Sequence, residues 1–173
     1  MAFIERLYKK TKSISDLTYK VCNIAASIIL AVTFFVILYA IIMRYFFLNP
    51  PRWSDELPRY LVIWMIFFAV SSAYHNGSHI GIEFIVRMLP QKLKFVTDIA
   101  MQIVLFLLSI AIIWLGFYLA FKFSSFQKSS SLGISLTYPM LSVPIGGLLL
   151  VPQIIHKLVT VIYKELNNQH FSS

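Results

Sequence analysis

The sequence predicts an all-α membrane protein: four transmembrane helices accompanied by short amphipathic interfacial helices. Three observations lead there. Hydrophobic residues fill 58% of the 173 positions and charged residues only 13%, about half the charged share of a soluble domain. Mean hydropathy is +0.76. The apolar residues are bunched into long runs almost free of charge, the pattern that suits a chain surrounded by lipid.

Residues 1–20 read as an amphipathic cytoplasmic helix lying in the membrane interface. Phe3, Ile4, Leu7, Tyr8, Ile14 and Leu17 fall near one face, while Arg6, Lys9, Lys10 and Lys12 occupy much of the rest, a distribution that favours seating on a bilayer over crossing it. A four-helix transmembrane domain follows over residues 21–164. Its first span, 21–43, is a charge-free run of 23 residues, equivalent to about 35 Å of helix. It is too long for a signal-peptide core and has no small-residue cleavage site behind it, so it is expected to be retained.

Pro50 and Pro51 separate this run from the second span, 57–74, with Ser54 or Asp55 as the cap and Pro58 in the first turn, where a missing N–H does no harm. Ile80 to Leu89 resembles a second amphipathic helix, with Glu83 and Arg87 four residues apart on its wet side. Pro90 ends it. The third span, 95–121, is interrupted only by Asp98. The fourth is placed at 141–163, and the proline-bearing stretch before it is read as a re-entrant or interfacial turn. Residues 165–173 form a tail.

Orientation follows from the basic residues. The amino-terminal tail (Arg6, Lys9, Lys10, Lys12, Lys20), the loop after span two (Arg87, Lys92, Lys94) and the carboxyl end (Lys157, Lys164) carry ten. Arg44, Arg52, Arg59, Lys122 and Lys128 lie on the other side. The richer side faces the cytoplasm, so both termini are expected there. The net charge of +8 is thereby assigned to lipid headgroups, since no nucleic-acid recognition module accompanies it. Cys22 is the single cysteine, which leaves no internal disulfide and no cysteine-built metal site.

The polar residues point to assembly. No span has an ionisable side chain at its centre, where ion and proton paths reveal themselves. No nucleophile–base pair, phosphate loop or metal-spaced carboxylates are present, so no catalytic, substrate-binding or metal residue is assigned, no cofactor is expected and the chain is not read as an enzyme. The outer ends of spans one and two gather Arg44, Arg52, Trp53, Asp55, Glu56 and Arg59. Glu56 and Arg59 share a helix face and can pair with each other or with Arg44. Headgroup anchoring and compensation of the helix terminus explain such a cluster as readily as a contact with a partner. His75, His79 and His156 near the opposite end raise a haem-bearing membrane anchor as a rival reading, although histidines at helix ends more often cap or meet solvent. Gly146, Gly147 and Ser142 would let another helix approach closely, and Asn23, Gln102 and Ser109 can serve as interhelical hydrogen-bonding groups. The segment from Phe126 to Ser135 reads as a flexible external loop. A stand-alone assembly or regulatory membrane protein fits the same composition.

The order of certain motifs is familiar. Arg44 closing span one, Trp53-Ser-Asp-Glu56-Leu-Pro-Arg59-Tyr opening span two and the His79-Ile80 step before Pro90 resemble the DctQ-like small membrane subunit of tripartite ATP-independent periplasmic (TRAP) transporters. Gln127, the Ser131-Leu-Gly-Ile134 stretch and Pro139 to Gly146 extend that resemblance, which covers roughly residues 20 to 160. Lys128, Ser129 and Ser135 depart from the more apolar or small residues of the family. The resemblance implies a multi-pass protein of the bacterial inner membrane. Its partners would be a large DctM-like membrane subunit, a periplasmic solute-binding protein through the assembled complex, and membrane lipids. It implies sodium-driven uptake of an organic acid by an elevator in the large subunit, with the small one as scaffold and anchor. The look is closest to members of sialic-acid type. By position it nominates Arg44, Trp53, Glu56, Arg59, His79, Gln127 and Ser131 as partner-interface or intrabundle residues.

Overall fold

A computed structural model of the chain describes residues 2–76, 91–122 and 127–171. His79 and the expected amphipathic helix over Ile80 to Leu89 lie outside the described residues. The described elements are α1 (Ala2–Tyr45), α2 (Glu56–His75), α3 (Gln91–Lys122), the single turn α4 (Thr137–Met140) and α5 (Ser142–Phe171). Four segments are long and apolar enough to cross a membrane: Ile4–Tyr45, Glu56–His75, Phe95–Lys122 and Thr137–Tyr163. No strand is formed among the described residues beyond an isolated bridge between Lys128 and Ser135.

The first helix differs from the sequence expectation. It runs unbroken for 44 residues, about 66 Å, so the amphipathic start and the first span are one element with no boundary at residue 20. Neither glycine nor proline occurs between Met1 and Asn49, and nothing else in that stretch breaks a helix. The helix stops where Leu48 takes a left-handed conformation, φ 51°, ahead of Pro50. The Asn49 N–H donates to the Met43 carbonyl at 3.2 Å.

The fourth span begins earlier than expected. Its leading turn, Thr137–Met140, is separated from α5 by Leu141 alone, which keeps a right-handed helical φ and ψ. Pro144 lacks the N–H that would reach the Met140 carbonyl, which accounts for the interruption. Farther along, Pro152 sits inside α5. It cannot donate to the Leu148 carbonyl, and one residue on the Leu149 carbonyl receives the Ser71 hydroxyl at 2.9 Å.

Helix α5 is the hub. It packs against α1, α2 and α3, and α1 also packs against α2, whereas α1 and α3 do not meet among the described residues. Glycine sets the spacing. A Cβ on Gly146 would lie 2.6 Å from Phe67 of α2, and one on Gly116 of α3 would lie 2.7 Å from Pro144. The close approach expected at Gly146 and Gly147 is therefore made within the chain, toward α2 and α3. The stacking of Tyr8 on Tyr163, ring centroids 5.0 Å apart, sets the amino-terminal end of α1 beside the later part of α5. Both therefore lie at the same end of the bundle.

Candidate functional site

Two polar clusters, at opposite ends of the helices, tie the bundle together. One holds most of the residues singled out in the sequence. After Pro50 and Pro51 the chain turns, with Ser54 N–H donating to the Pro51 carbonyl at 3.1 Å and Leu57 N–H to that of Trp53 at 3.1 Å. This places Glu56 as the first residue of α2, where a carboxylate complements the helix N-terminus. Its side chain reaches across to the segment before α4. Ser129 donates its hydroxyl to Oε2, Ser130 donates to Oε1 at 2.9 Å, and the Ser131 and Leu132 N–H groups approach within 3.2 and 3.3 Å of Oε2. A carboxylate accepting several donors is the strong form of hydrogen bond.

The receiving segment is a built turn. Ser129 N–H donates to the Ile134 carbonyl at 2.8 Å, Gly133 N–H to that of Ser129 at 3.1 Å and Leu136 N–H to that of Gln127 at 3.1 Å. Gly133 closes it with φ 68°, a conformation that glycine enters without steric cost. The segment expected to be a loose external loop is thus tied to the start of α2.

Arg44 pairs with Asp55 at 2.9 Å, so Asp55 serves the ion pair and makes no side-chain cap bond. Both side chains are well exposed, and such a pair is worth about 0–1 kcal/mol in water. Trp53 stacks on Tyr39 of α1, centroids 5.9 Å apart and planes 4° from parallel, which adds a packing contact to its place at the helix end. Arg59 is exposed and makes no ion pair among the described residues. Gln127 contributes its backbone carbonyl to the turn while its side chain is exposed. Arg44, Trp53, Glu56 and Ser131 are thus brought together as intrabundle contacts, Arg59 stands apart, and His79 is outside the described residues.

The second cluster joins residues that the sequence offers singly, His75, His156, Asn23 and Gln102, to Ser15 and Gln153, which it does not mark out. Ser15 of α1 and Gln153 of α5 are buried. The Gln153 amide donates to the Ser15 carbonyl at 3.0 Å, and the Ser15 hydroxyl donates back to Gln153 Oε1. That orientation turns Oε1 toward His75 Nδ1, 3.0 Å away, which makes Nδ1 the donor. The His75 ring stacks on Tyr19 at 4.5 Å, and its Nε2 lies 3.5 Å from Asp16. His156 meets the Thr11 hydroxyl at 3.3 Å. Toward α3 the Tyr74 hydroxyl donates to Gln102, and toward α1 the Ser72 hydroxyl donates to Asn23 at 3.2 Å. Of the three histidines weighed as haem ligands, His75 and His156 have a ring nitrogen engaged between helices, and His79 lies outside the described residues. Gln102 and Asn23 are the interhelical groups expected, whereas Ser109 bonds the Phe106 carbonyl of its own helix. The signal was present as a few polar residues on each helix near a common level, but only the register between helices shows that they meet.

No group of three or more His, Cys, Asp or Glu capable of holding a metal occurs among the described residues. The arrangement suits fastening helices, with charge and hydroxyl groups spent on neighbouring elements of the same chain.

Residues 33–163 match the family described as tripartite ATP-independent periplasmic transporters, DctQ component. A Haemophilus influenzae protein described as a TRAP transporter small permease is 29% identical over 156 residues, covering 88% of this chain and 94% of the relative. The sialic acid TRAP transporter small permease protein SiaQ of Vibrio cholerae is 32% identical over 108 residues, 62% of each chain. The sialic acid TRAP transporter permease protein SiaT of Haemophilus influenzae is 26% identical over 117 residues, 68% of this chain and 19% of the relative.

Proposed function

The chain belongs to the DctQ component family of tripartite ATP-independent periplasmic transporters, and from that premise we propose that it braces a large sodium-coupled permease subunit without itself binding substrate or ion. It is a multi-pass small permease subunit. The observation that carries the bracing role is where its polar groups are spent. Ser15, Ser71, Ser72, Gln102, Ser129 and Gln153 are all buried, and each bonds to another element of this chain. Groups committed in this way stiffen a frame, whereas a transport path needs polar side chains turned toward a solute.

The large permease subunit is the primary partner. Support comes from the SiaT relative, in which the stretch resembling this chain occupies 19% of the length, so there the unit is continuous with a much longer polypeptide. The transported class is an organic acid, and sialic acid in particular, supported by two relatives whose names carry it. The complex sits in the bacterial inner membrane with both termini cytoplasmic and receives its substrate from a periplasmic binding protein. Arg44, Arg52 and Arg59 meet outer headgroups, and the basic start of α1 meets inner ones.

Co-expression with a large TRAP permease subunit, followed by affinity purification on this chain, tests the reading. The two subunits should elute together. Titration calorimetry of the isolated small chain with sodium and with sialic acid should show no heat of binding. A measurable affinity for either ligand in the isolated chain would overturn the bracing role.

A further inference from the structure

The start of α1 spends one face on the bundle and turns a basic face outward. Tyr8 stacks on Tyr163, Thr11 meets His156, Ser15 meets Gln153 and Tyr19 stacks on His75, so positions 8, 11, 15 and 19 face inward. Nearly opposite, at the helical spacings of three, four and seven, stand Arg6, Lys9, Lys10, Ser13, Leu17 and Lys20, all of them exposed. The acidic residues of this stretch, Glu5 and Asp16, lie on the flank of that stripe. Asp16 faces His75 at 3.5 Å, and among the described residues neither acid makes an ion pair with the four cations.

Depth and polarity together identify what meets this face. Helix α2 has 20 residues and ends at His75; its length of about 30 Å matches the hydrocarbon thickness. The contacts of His75 with Asp16 and Tyr19 therefore set that level of α1 at the membrane boundary. Lys20 stands at the boundary. Lys9 and Lys10 lie about 10 Å beyond it, within a Debye length of the headgroup phosphates, and Arg6 extends the stripe one turn farther. On the hydrocarbon side the same face continues as Ile24, Ile28 and Phe35, which are 59%, 58% and 65% exposed. One continuous face is thus cationic at headgroup depth and apolar below it, the profile of a phospholipid with a negative head. A nucleic acid or an acidic soluble protein would match only the cationic part.

We propose that this face of α1 is a docking surface selective for acidic phospholipids of the cytoplasmic leaflet, with Arg6, Lys9, Lys10 and Lys20 drawing the phosphate heads and Ile24 and Ile28 lying along the tails. It rests on the proposed cytoplasmic termini and adds which headgroups the start of α1 selects. Each cation beside an acidic surface strengthens association about fivefold, so the stripe favours phosphatidylglycerol over zwitterionic phosphatidylcholine.

The test reconstitutes the full chain in vesicles with a trace of chain-spin-labelled phosphatidylglycerol or phosphatidylcholine, and electron spin resonance reads the motionally restricted lipid around the protein. The parent chain should retain phosphatidylglycerol about twofold over phosphatidylcholine, averaged over all surrounding lipid. Salt at about 1 M should bring that ratio toward one, a result that needs no variant. Arg6→Gln, Lys9→Gln, Lys10→Gln and Lys20→Gln combined should do the same at low salt with the circular dichroism of the parent, whereas Arg52→Gln with Arg59→Gln should leave most of the preference. Equal retention of the two lipids by the parent chain, or a preference untouched by the quadruple variant, would overturn the proposal. So would a preference lost once a large permease subunit is bound, which would give the stripe to that subunit. Reaction of Ser13→Cys, in a Cys22→Ala background, with an impermeant maleimide in intact spheroplasts would instead bring down the orientation, and the assignment to the cytoplasmic leaflet with it.

Discussion

At the scale of single residues, Glu56 and Gln153 anchor the two polar clusters. Glu56 was legible as part of a charged cluster, but its partners were not. Local spacing on a helix face offers Arg59 and Arg44, whereas the structure sends the carboxylate 73 positions along the chain to Ser129, and Arg44 takes Asp55. A tertiary contact with four donors outweighs an exposed pair between long side chains. Glu56→Gln, which keeps the size and removes the charge, is therefore expected to loosen the turn from Gln127 to Leu136. Limited proteolysis should cut there faster than in the parent chain, and an unchanged rate would show that the carboxylate does not hold the turn. Gln153→Leu should remove the amide that joins Ser15 to His75, leaving His75 Nδ1 only the Ser15 hydroxyl at 3.0 Å. A loss of about 1 kcal/mol in unfolding free energy is expected, in line with hydrogen bonds between membrane helices. Chemical denaturation in detergent reads this directly. A gain in stability would mean that the polar belt serves something other than the bundle.

Among the elements, the four spans were legible because each is a long apolar run and lipid tolerates little else. Their ends were less so. The boundary at residue 20 was drawn from a change in charge content, yet charge alone does not end a helix, and with no glycine or proline before Pro50 α1 simply continues. The reverse holds at the fourth span, where three prolines blurred a helix that in fact starts at Thr137 and pauses only at Leu141. Packing between elements depends on Gly146, whose added side chain would collide with Phe67. Gly146→Val should cost roughly 1–3 kcal/mol through overpacking, seen as a lower unfolding midpoint in detergent, and equal stability would show that α2 and α5 can separate freely. At the end of α1, Leu48 holds a left-handed conformation that glycine would adopt without the steric cost of about 1–2 kcal/mol. Leu48→Gly should leave the midpoint equal or higher. A fall would show that the leucine side chain has a contact of its own.

For the whole molecule, composition was enough to read a polytopic membrane protein, and the order of motifs pointed to the DctQ family, in which the chain belongs. The arrangement of helices was not legible. Each span is apolar on nearly every face, so no sequence pattern says that α5 lies between α1 and α3 in contact. The polar residues that fix the register are few and act across 28 to 138 positions. What emerges is a frame built around one helix, with its hydrogen-bonding groups turned inward and broad apolar flanks left for lipid and partner. Its central claim is that such a frame supports transport without performing it. Sodium-driven sialic acid uptake into vesicles holding the large permease subunit, supplied with the binding protein, tests that claim most directly. Uptake should be strong with both membrane subunits and nearly absent with either alone; full uptake by the large subunit alone, or any by this chain alone, would contradict it.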